Sequence, residues 1–219
     1  MSERSSRSPF LHRTNKKRQI DFEIMVDWIE EGSRVLDLGC GRGVLLRELA
    51  ERKGVSGIGV DSDPAKVASC VRKGLNIVQE DVSAAMERFA PGSFDYVIFT
   101  RTLEMIGEPA GVIRRALRVG RAVLVGAINR GYWKNRLHFL LRGRTPRNDV
   151  YPLHWEEAPL SNHLSVGELE RFAARAGLVV SRKVCLRGDW HTPCRILAAW
   201  RAGYAVFEIT DPQSPKKVS

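Results

Sequence analysis

From Arg34 onward, short β-branched runs of apolar residues alternate along the chain with amphipathic stretches. This alternation predicts a parallel β-sheet flanked by helices, and therefore an α/β domain. The predicted strands cover residues 34–38, 55–61, 75–79, 94–100 and 121–128. The predicted helices cover residues 44–53, 64 to about 73, and 109–118.

Capping residues support two of the predicted helices. Asp63 and Pro64 supply an N-cap and a first-turn proline, and Gly74 can end the same helix. Late in the chain, Ser165 and Glu168 form a capping-box pattern that opens a further helix.

The two ends of the chain extend this pattern. Residues 178–186 and 195–200 are predicted to form a closing antiparallel pair of strands. Before the first strand, residues 15–30 are predicted to form a helix, whose inward face carries Ile20, Ile24, Met25 and Trp28. The expected organisation is a disordered basic tail over 1–14, one domain over 15–202 and a C-terminal tail over 203–219.

Length and composition fit a single domain. A chain of 219 residues with 43% hydrophobic content can bury a substantial core, and it is short for two domains. No apolar run approaches the roughly 20 residues that span a bilayer, and the first residues lack the apolar centre of a secretory signal. We therefore expect a soluble, cytoplasmic protein. Its four cysteines form no Cys-x-x-Cys pair, so we expect reduced thiols and no metal site.

The net charge of +10 is concentrated in two segments. Residues 1–19 carry six Lys and Arg against one Glu, and residues 130–148 carry six Lys and Arg with no acid. The rest of the chain is nearly neutral. The basic character therefore describes a tail and one insertion rather than the domain body.

The basic insertion, residues 130–164, contains an amphipathic pattern. Trp133, Leu137, Leu140 and Leu141 recur at helical spacing, with basic residues beside them. Three interpretations stay open: a helix over the ligand pocket with a solvated outer face, a docking surface for an acidic protein, or contact with RNA or a membrane. No recognisable RNA-binding module accompanies the basic tail, so a nucleic-acid partner is not favoured.

The segment DLGCGRG, residues 37–43, joins the first predicted strand to the following helix. A glycine loop at this position lets the backbone approach an anionic or polar ligand closely. Its glycines alternate, whereas the G-x-G-x-x-G spacing of dinucleotide folds requires a glycine where Val44 stands. Asp37 adds an acid at a strand end, which suits a ligand with a cationic amine.

S-adenosylmethionine meets these requirements, because it carries an ammonium, a carboxylate, a ribose diol and an adenine in a row. Asp61 ends the second strand, where a carboxylate can accept hydrogen bonds from both ribose hydroxyls. Asp81 follows the third strand, where it can accept from the adenine amine while the backbone N–H of Val82 meets a ring nitrogen. The predicted cofactor-binding residues are Asp37, Gly39, Cys40, Gly41, Gly43, Asp61, Ser62, Asp81, Val82 and Thr100.

The motifs VLDLGCGRG, GIGVD and QEDV resemble those of class I methyltransferases. More narrowly, the chain from about Lys16 to Trp200 resembles the MetW family of methionine-biosynthesis proteins. That match is carried by LLRELAERKGVSGIGVDSDPAKVASCVRKGLNIVQEDV, by SFDYVIFTRTLE and by PLHWEEAPLSNHLSVGELERF. The resemblance implies a Rossmann-like, doubly wound sheet of seven strands, mostly parallel with an antiparallel closing strand. It also implies S-adenosylmethionine as cofactor and homoserine O-acyltransferase as a partner in methionine synthesis.

The chain departs from the family pattern around the expected ligand. Arg42 occupies a loop position where the family usually has an acid, and Arg101 and Glu104 stand where glutamines are common. The stretch AINRGYW replaces a more typical Phe-Pro-Asn stretch. These departures fall around the cofactor and its acceptor side.

Methyl transfer from a sulfonium requires in-line placement more than it requires acid or base groups. If the acceptor must lose a proton, the candidate bases are Glu104, His154 and His163. Alternatively, Glu104 is a solvated residue at the start of a loop or helix, and each histidine makes a structural hydrogen bond. The histidines flank residues 151–163, which we interpret as a lid over the sheet edge.

Three functions stay open at this point: a methyltransferase acting on a small molecule, a non-catalytic partner of homoserine O-acyltransferase, and a nucleic-acid methyltransferase. FTRT stands after the fourth strand in place of Asn-Pro-Pro-Tyr, which disfavours an amide or exocyclic base nitrogen as acceptor. No nucleophile and base pair for acyl transfer is evident.

Overall fold

A computed structural model describes residues 20–146, 148, 151 and 161–213. The strands are β1 (Arg34–Leu38), β2 (Ser56–Asp61), β3 (Asn76–Gln79), β4 (Phe94–Thr100), β5 (Gly120–Ile128), β6 (Val179–Arg187) and β7 (Ala202–Thr210). They form one sheet in the order β3-β2-β1-β4-β5-β7-β6. Strands β1 to β5 pair in parallel, whereas β7 is antiparallel to both of its neighbours.

Helices connect the parallel strands, as crossovers between them require. The helices are α1 (20–28), α2 (Val44–Lys53), α3 (Pro64–Val71), α4 (Val82–Ala85), α5 (Pro109–Val119), α6 (Trp133–Arg142), α7 (Val166–Arg175) and α8 (Ala198–Arg201). Two 3₁₀ turns cover Met86–Arg88 and Leu103–Met105. The five strands and three helices predicted between residues 34 and 128 are confirmed to within two residues at each end.

The predicted caps explain where two helices begin. Asp63 immediately precedes α3, and its Oδ1 accepts a hydrogen bond from the backbone N–H of Ala65 at 2.9 Å. Oγ of Ser165 accepts from the N–H of Glu168 at 3.3 Å, which satisfies an orphan donor of α7.

Sheet packing buries both faces of the central strands. In β4, Ile98 and Phe99 are fully buried but belong to hydrophobic clusters on opposite faces of the sheet. Helix α1 packs on the Ile98 side, where Met25 is fully buried and Ile20, Ile24 and Trp28 are partly buried. The predicted inward face of this helix is thus confirmed over its described residues.

The closing antiparallel arrangement is confirmed, but the prediction of its last strand at 195–200 is wrong. Ile196 and Leu197 in that run are 70% and 64% exposed, and the strand is β7 instead. Strand β7 lies between β5 and β6 and is buried along its length except at its last residue, Thr210. Residues 202–210 were predicted as the end of the domain and part of a tail, yet they form an interior strand.

Strand β7 was missed because its sequence contains a glycine and an acid. Gly203 packs against the backbone of Gly188 and Arg187, so close approach of two strands favours a residue without a side chain there. Glu208 is buried in an ion pair with Arg182 of β6. Neither partner could be assigned before the strand order was known.

Within the described residues, no helix is long and apolar enough to cross a bilayer. In the same part of the chain, no group of three or more His, Cys, Asp or Glu side chains could hold a metal ion. The four cysteines are free thiols; Cys40 is partly buried and the other three are buried.

Candidate functional site

The loop after β1 has a backbone that only glycine adopts easily. Gly39, Gly41 and Gly43 have φ angles of 75°, 61° and 67°. A Cβ on Gly39 would lie 2.4 Å from Oγ1 of Thr102, and one on Gly43 would lie 2.4 Å from Cδ1 of Leu75. A Cβ on Gly41 would meet nothing within 4 Å, so this glycine faces open space.

The backbone N–H groups of this loop form hydrogen bonds within the chain, and these bonds fix the conformation of the loop. The N–H groups of Gly39 and Cys40 donate to the carbonyl of Val60 at 2.8 and 3.0 Å, and that of Gly43 donates to Cys40 at 3.1 Å. The N–H of Gly41 donates to Oδ2 of Asp61 at 2.9 Å. The loop therefore offers a ligand close approach to a bare, preorganised backbone, with its amides bonded within the chain.

Two acids lie buried behind the loop. Leu38, the last residue of β1, pairs with Val60, so Asp37 and Asp61 lie at the ends of adjacent strands, on the same edge of the sheet and within one residue of each strand's end. Asp37 is 2% exposed and Asp61 is 6% exposed. Burial, together with the nearby charge of Asp61, raises the pKa of Asp37 to about 7. A cationic ligand group beside this pair would offset the cost of holding two carboxylates together.

The other predicted cofactor residues follow neighbouring strands along the same edge. Oδ1 of Asp81 accepts from the N–H of Ser83 at 2.8 Å and caps α4, while Val82 is buried beneath the cap. Ser62 is exposed next to Asp61. Oγ1 of Thr100, at the end of β4, lies 3.8 Å from the sulfur of Met25 and so faces α1. The parallel register thus brings the acids of β1, β2 and β3 to one edge.

Glu104 is buried rather than solvated, which corrects the alternative considered for it. Its Oε1 accepts from the N–H of Ile128 at 3.1 Å, and its Oε2 accepts from Nη2 of Arg130 at 3.3 Å. Burial raises the pKa of Glu104, while the bond from Ile128 and the Arg130 charge oppose that change. This carboxylate links the turn after β4 to the end of β5.

Of the two predicted histidine bases, His163 lies among the described residues and His154 does not. His163 is exposed, and its ring centroid lies 6.3 Å from that of Tyr151. His154, and most of the predicted lid, lie outside the described residues. Beside His163, Nδ2 of Asn162 donates to the carbonyls of Leu103 and Ile106 at 3.3 and 2.6 Å. Asn162 thereby fastens the end of the predicted lid to the turn after β4.

Sequence reasoning missed a buried charge cluster beside this turn. Arg101 follows β4 with φ 61°, and its guanidinium forms an ion pair with Asp21 of α1. The guanidinium carbon also lies 5.6 and 5.7 Å from the ring centroids of Trp190 and Tyr204. The signal available in the sequence was an acid four residues before Met25, on the apolar face of a helix.

A cleft of about 340 Å³ opens at the same edge of the sheet, on the side of β5, β6 and β7. Its walls include Tyr132, Lys134, Asp189 and Trp190. Because Trp190 also contacts Arg101, the cleft adjoins the buried cluster. The carboxyl edge thus carries a glycine loop with acids on one side and an aromatic, charged cleft on the other.

This strand order, with a glycine loop after β1 and an antiparallel closing pair, defines the class I methyltransferase fold. The structure is similar to a SAM-dependent methyltransferase from Archaeoglobus fulgidus, with TM-score 0.60 and 16% identity, covering 91% of this chain and 94% of that one. It is also similar to magnesium protoporphyrin IX methyltransferase from Synechocystis with bound SAH, with TM-score 0.67 and 14% identity, covering 93% and 88% of the two chains. At these identities the similarity concerns the fold.

The sequence pattern of the family described as methionine biosynthesis protein MetW matches residues 19–209. The chain therefore belongs to the MetW family, as its motifs predicted. It is 26% identical over 174 residues to a bifunctional methionine biosynthesis protein MetXA/MetW of Rhodopirellula baltica, covering 75% of this chain and 28% of that protein. It is 35% identical over 119 residues to a ubiquinone biosynthesis O-methyltransferase of Pseudomonas aeruginosa, covering 49% and 51%. The aligned part of the chain thus spans about half of one relative and less of the other.

Proposed function

We propose that the chain binds S-adenosylmethionine at the loop after β1 and transfers its methyl group to a small molecule, within methionine biosynthesis. The observation that carries this proposal is the buried pair Asp37 and Asp61 behind a glycine loop with a bare backbone. Two adjacent buried carboxylates suit a ligand that brings a cationic amine and a diol.

Each part of the cofactor is assigned to particular residues of the chain. Asp37 faces the amine. Asp61 already accepts from the N–H groups of Gly41 and Asp63 and, at 3.4 Å, from Nζ of Lys66, so it accepts from the ribose hydroxyls with its remaining lone pair and in place of the long bond from Lys66. Asp81 and the N–H of Val82 take the adenine. Ser62 completes the contacts at the end of β2, whereas Thr100, whose Oγ1 faces Met25 of α1, is left out of the assignment.

The bound cofactor supplies an electrophilic methyl group on a sulfonium. The residues of the chain then need to orient the acceptor in line and exclude water, without an obligatory base. We assign the acceptor to the cleft walled by Tyr132, Lys134, Asp189 and Trp190. Because both oxygens of Glu104 are bonded within the chain, we assign it a positioning role rather than that of a base.

A second candidate function is that of a non-catalytic, cofactor-binding partner of homoserine O-acyltransferase. The relative in Rhodopirellula baltica favours a partner function, because its name joins MetXA to MetW in one protein; the acyltransferase as partner is what the resemblance to the MetW family implies. Fusion of two units in one chain is expected when they act together. The expected location in the cytoplasm remains a prediction for either function.

The two functions are tested with methyl-labelled S-adenosylmethionine and small-molecule extracts of the host. Label bound to the protein and transferred to an acceptor supports the methyltransferase, whereas bound label without transfer supports the partner function. Asp61→Ala is expected to abolish binding in both cases. Full binding by this variant would refute the assignment of the ribose site.

A further inference from the structure

Helix α6 exposes its apolar residues and buries a polar one, the reverse of what surface helices usually do. All ten of its residues are described, and of these only Asn135 is buried. Leu140 and Leu141 are 80% and 72% exposed. The inward position is polar, since Oδ1 of Asn135 accepts from Nδ2 of Asn148 at 2.8 Å. An amphipathic helix normally buries its apolar stripe, whereas this one exposes it to solvent, as binding surfaces do.

A second element extends the same surface. The ring of Trp200 in α8 lies 6.0 Å from that of Trp133 in α6, which joins the two helices. Leu197, just before α8, is 64% exposed although its φ of 52° is strained for leucine. We call this patch the α6–α8 surface: Leu137, Leu140, Leu141, Ile196, Leu197 and Trp200.

The rim of the α6–α8 surface is positively charged. Exposed cations stand beside the apolar residues in both elements: Lys134, Arg142, Arg144, Arg195 and Arg201. Neither residues 130–148 nor residues 190–201 contain an acid. An apolar centre with Trp and Arg at its margins has the composition of a protein interface, and its charge complements an acidic rim.

We propose that the α6–α8 surface binds homoserine O-acyltransferase through an apolar patch on that enzyme bordered by carboxylates. This inference rests on the partner function proposed above, and it names the face of the chain that carries it. The relative whose name joins MetXA to MetW in one chain supports this choice of occupant. The cofactor loop is formed by other elements, so both ligands can be bound together.

The test measures the affinity of the full chain for homoserine O-acyltransferase of the same organism, by isothermal titration calorimetry. The variant Leu141→Gln with Arg142→Glu alters the surface at the end of α6. The matched control is Val71→Gln with Arg72→Glu, an exposed apolar residue and arginine at the end of α3. We expect the surface variant to bind at least about tenfold more weakly and the control to bind as the wild type does. Affinity for S-adenosylmethionine should be unchanged in both.

Three other results would contradict the assignment of this surface. Equal binding of the acyltransferase by wild type and surface variant would overturn the assignment of this surface while leaving the partner function intact. Absence of binding by the wild-type chain would overturn both. Binding to vesicles of phosphatidylglycerol that the surface variant loses, without acyltransferase binding, would show that the patch contacts a membrane instead.

Discussion

Nη2 of Arg101 donates a hydrogen bond to Oδ2 of Asp21 at 2.7 Å, across 80 positions of sequence. Asp21 is 1% exposed and the Arg101 side chain 15%, so water screens this pair little. The bond fixes the N-terminal helix to the end of β4. Thr102, the next residue, packs over Gly39, so the pair also supports the cofactor loop.

Loss of one partner of this pair should destabilise the chain strongly. Asp21→Ala leaves the Arg101 guanidinium buried without its counter-charge, and we expect the free energy of unfolding to fall by about 3–5 kcal/mol. Asp21→Leu combined with Arg101→Met removes both charges and should cost much less. Urea denaturation of both variants measures the difference. With the single variants Asp21→Leu and Arg101→Met measured as well, additive losses in the double variant would show that the two residues are not coupled.

The raised pKa of Asp37 predicts that cofactor binding depends on pH. Near pH 6 Asp37 is mostly protonated, and near pH 8 it is mostly ionised, because its pKa is about 7. An amine ligand prefers the ionised form, so affinity for S-adenosylmethionine should rise about tenfold over this range. Calorimetry in buffers of different ionisation enthalpy should show proton release on binding. Asp37→Asn should bind weakly and without this pH dependence.

The same carboxyl should weaken the ligand-free protein as pH rises. Its folded pKa, about 7, lies above the unfolded value near 4, so the folded state binds more protons between them. The stability contributed by the protonated form is therefore lost as pH rises through 7. We expect Asp37→Asn to raise the melting temperature at pH 8 more than at pH 5. An equal effect at both values would contradict the raised pKa.

Two glycines of the cofactor loop provide a matched comparison. Both have positive φ, but only Gly39 lies against a side chain, Thr102. Gly41→Ala should cost about 1–2 kcal/mol from backbone strain alone. Gly39→Ala should cost at least about 1 kcal/mol more, because the new methyl group overlaps Oγ1 of Thr102. Thermal denaturation compares them, and equal losses would argue against the contact.

Glu104 can be tested as a positioning residue. Glu104→Gln retains an acceptor for the N–H of Ile128 but loses the ion pair with Arg130. We expect any methyl transfer to fall by less than about tenfold, with a pH profile unchanged in shape. A residue acting as a base would lose more than about a hundredfold. Single-turnover transfer measured between pH 6 and 9 distinguishes the two roles.

The sequence by itself determined the order of strands and helices up to β5 and the acids at their ends. Hydrophobic periodicity and helix capping are local properties of the sequence. Asp63 and Ser165 could therefore be predicted as N-caps without knowing what their helices pack against. Asp37 and Asp61 were also predictable, because parallel strands always bring their carboxyl ends to one edge.

Only the tertiary structure decided features that depend on distant partners. Strand β7 was hidden because Gly203 and Glu208 read as breaks until their contacts on β6 are known. The burial of Asp21 and the bonded state of the candidate base Glu104 follow only once Arg101 and Arg130 are placed beside them. The outward direction of the apolar stripe of α6 is likewise set by how the helix docks. Local periodicity specifies which residues share a face, whereas packing across the whole domain decides where that face points.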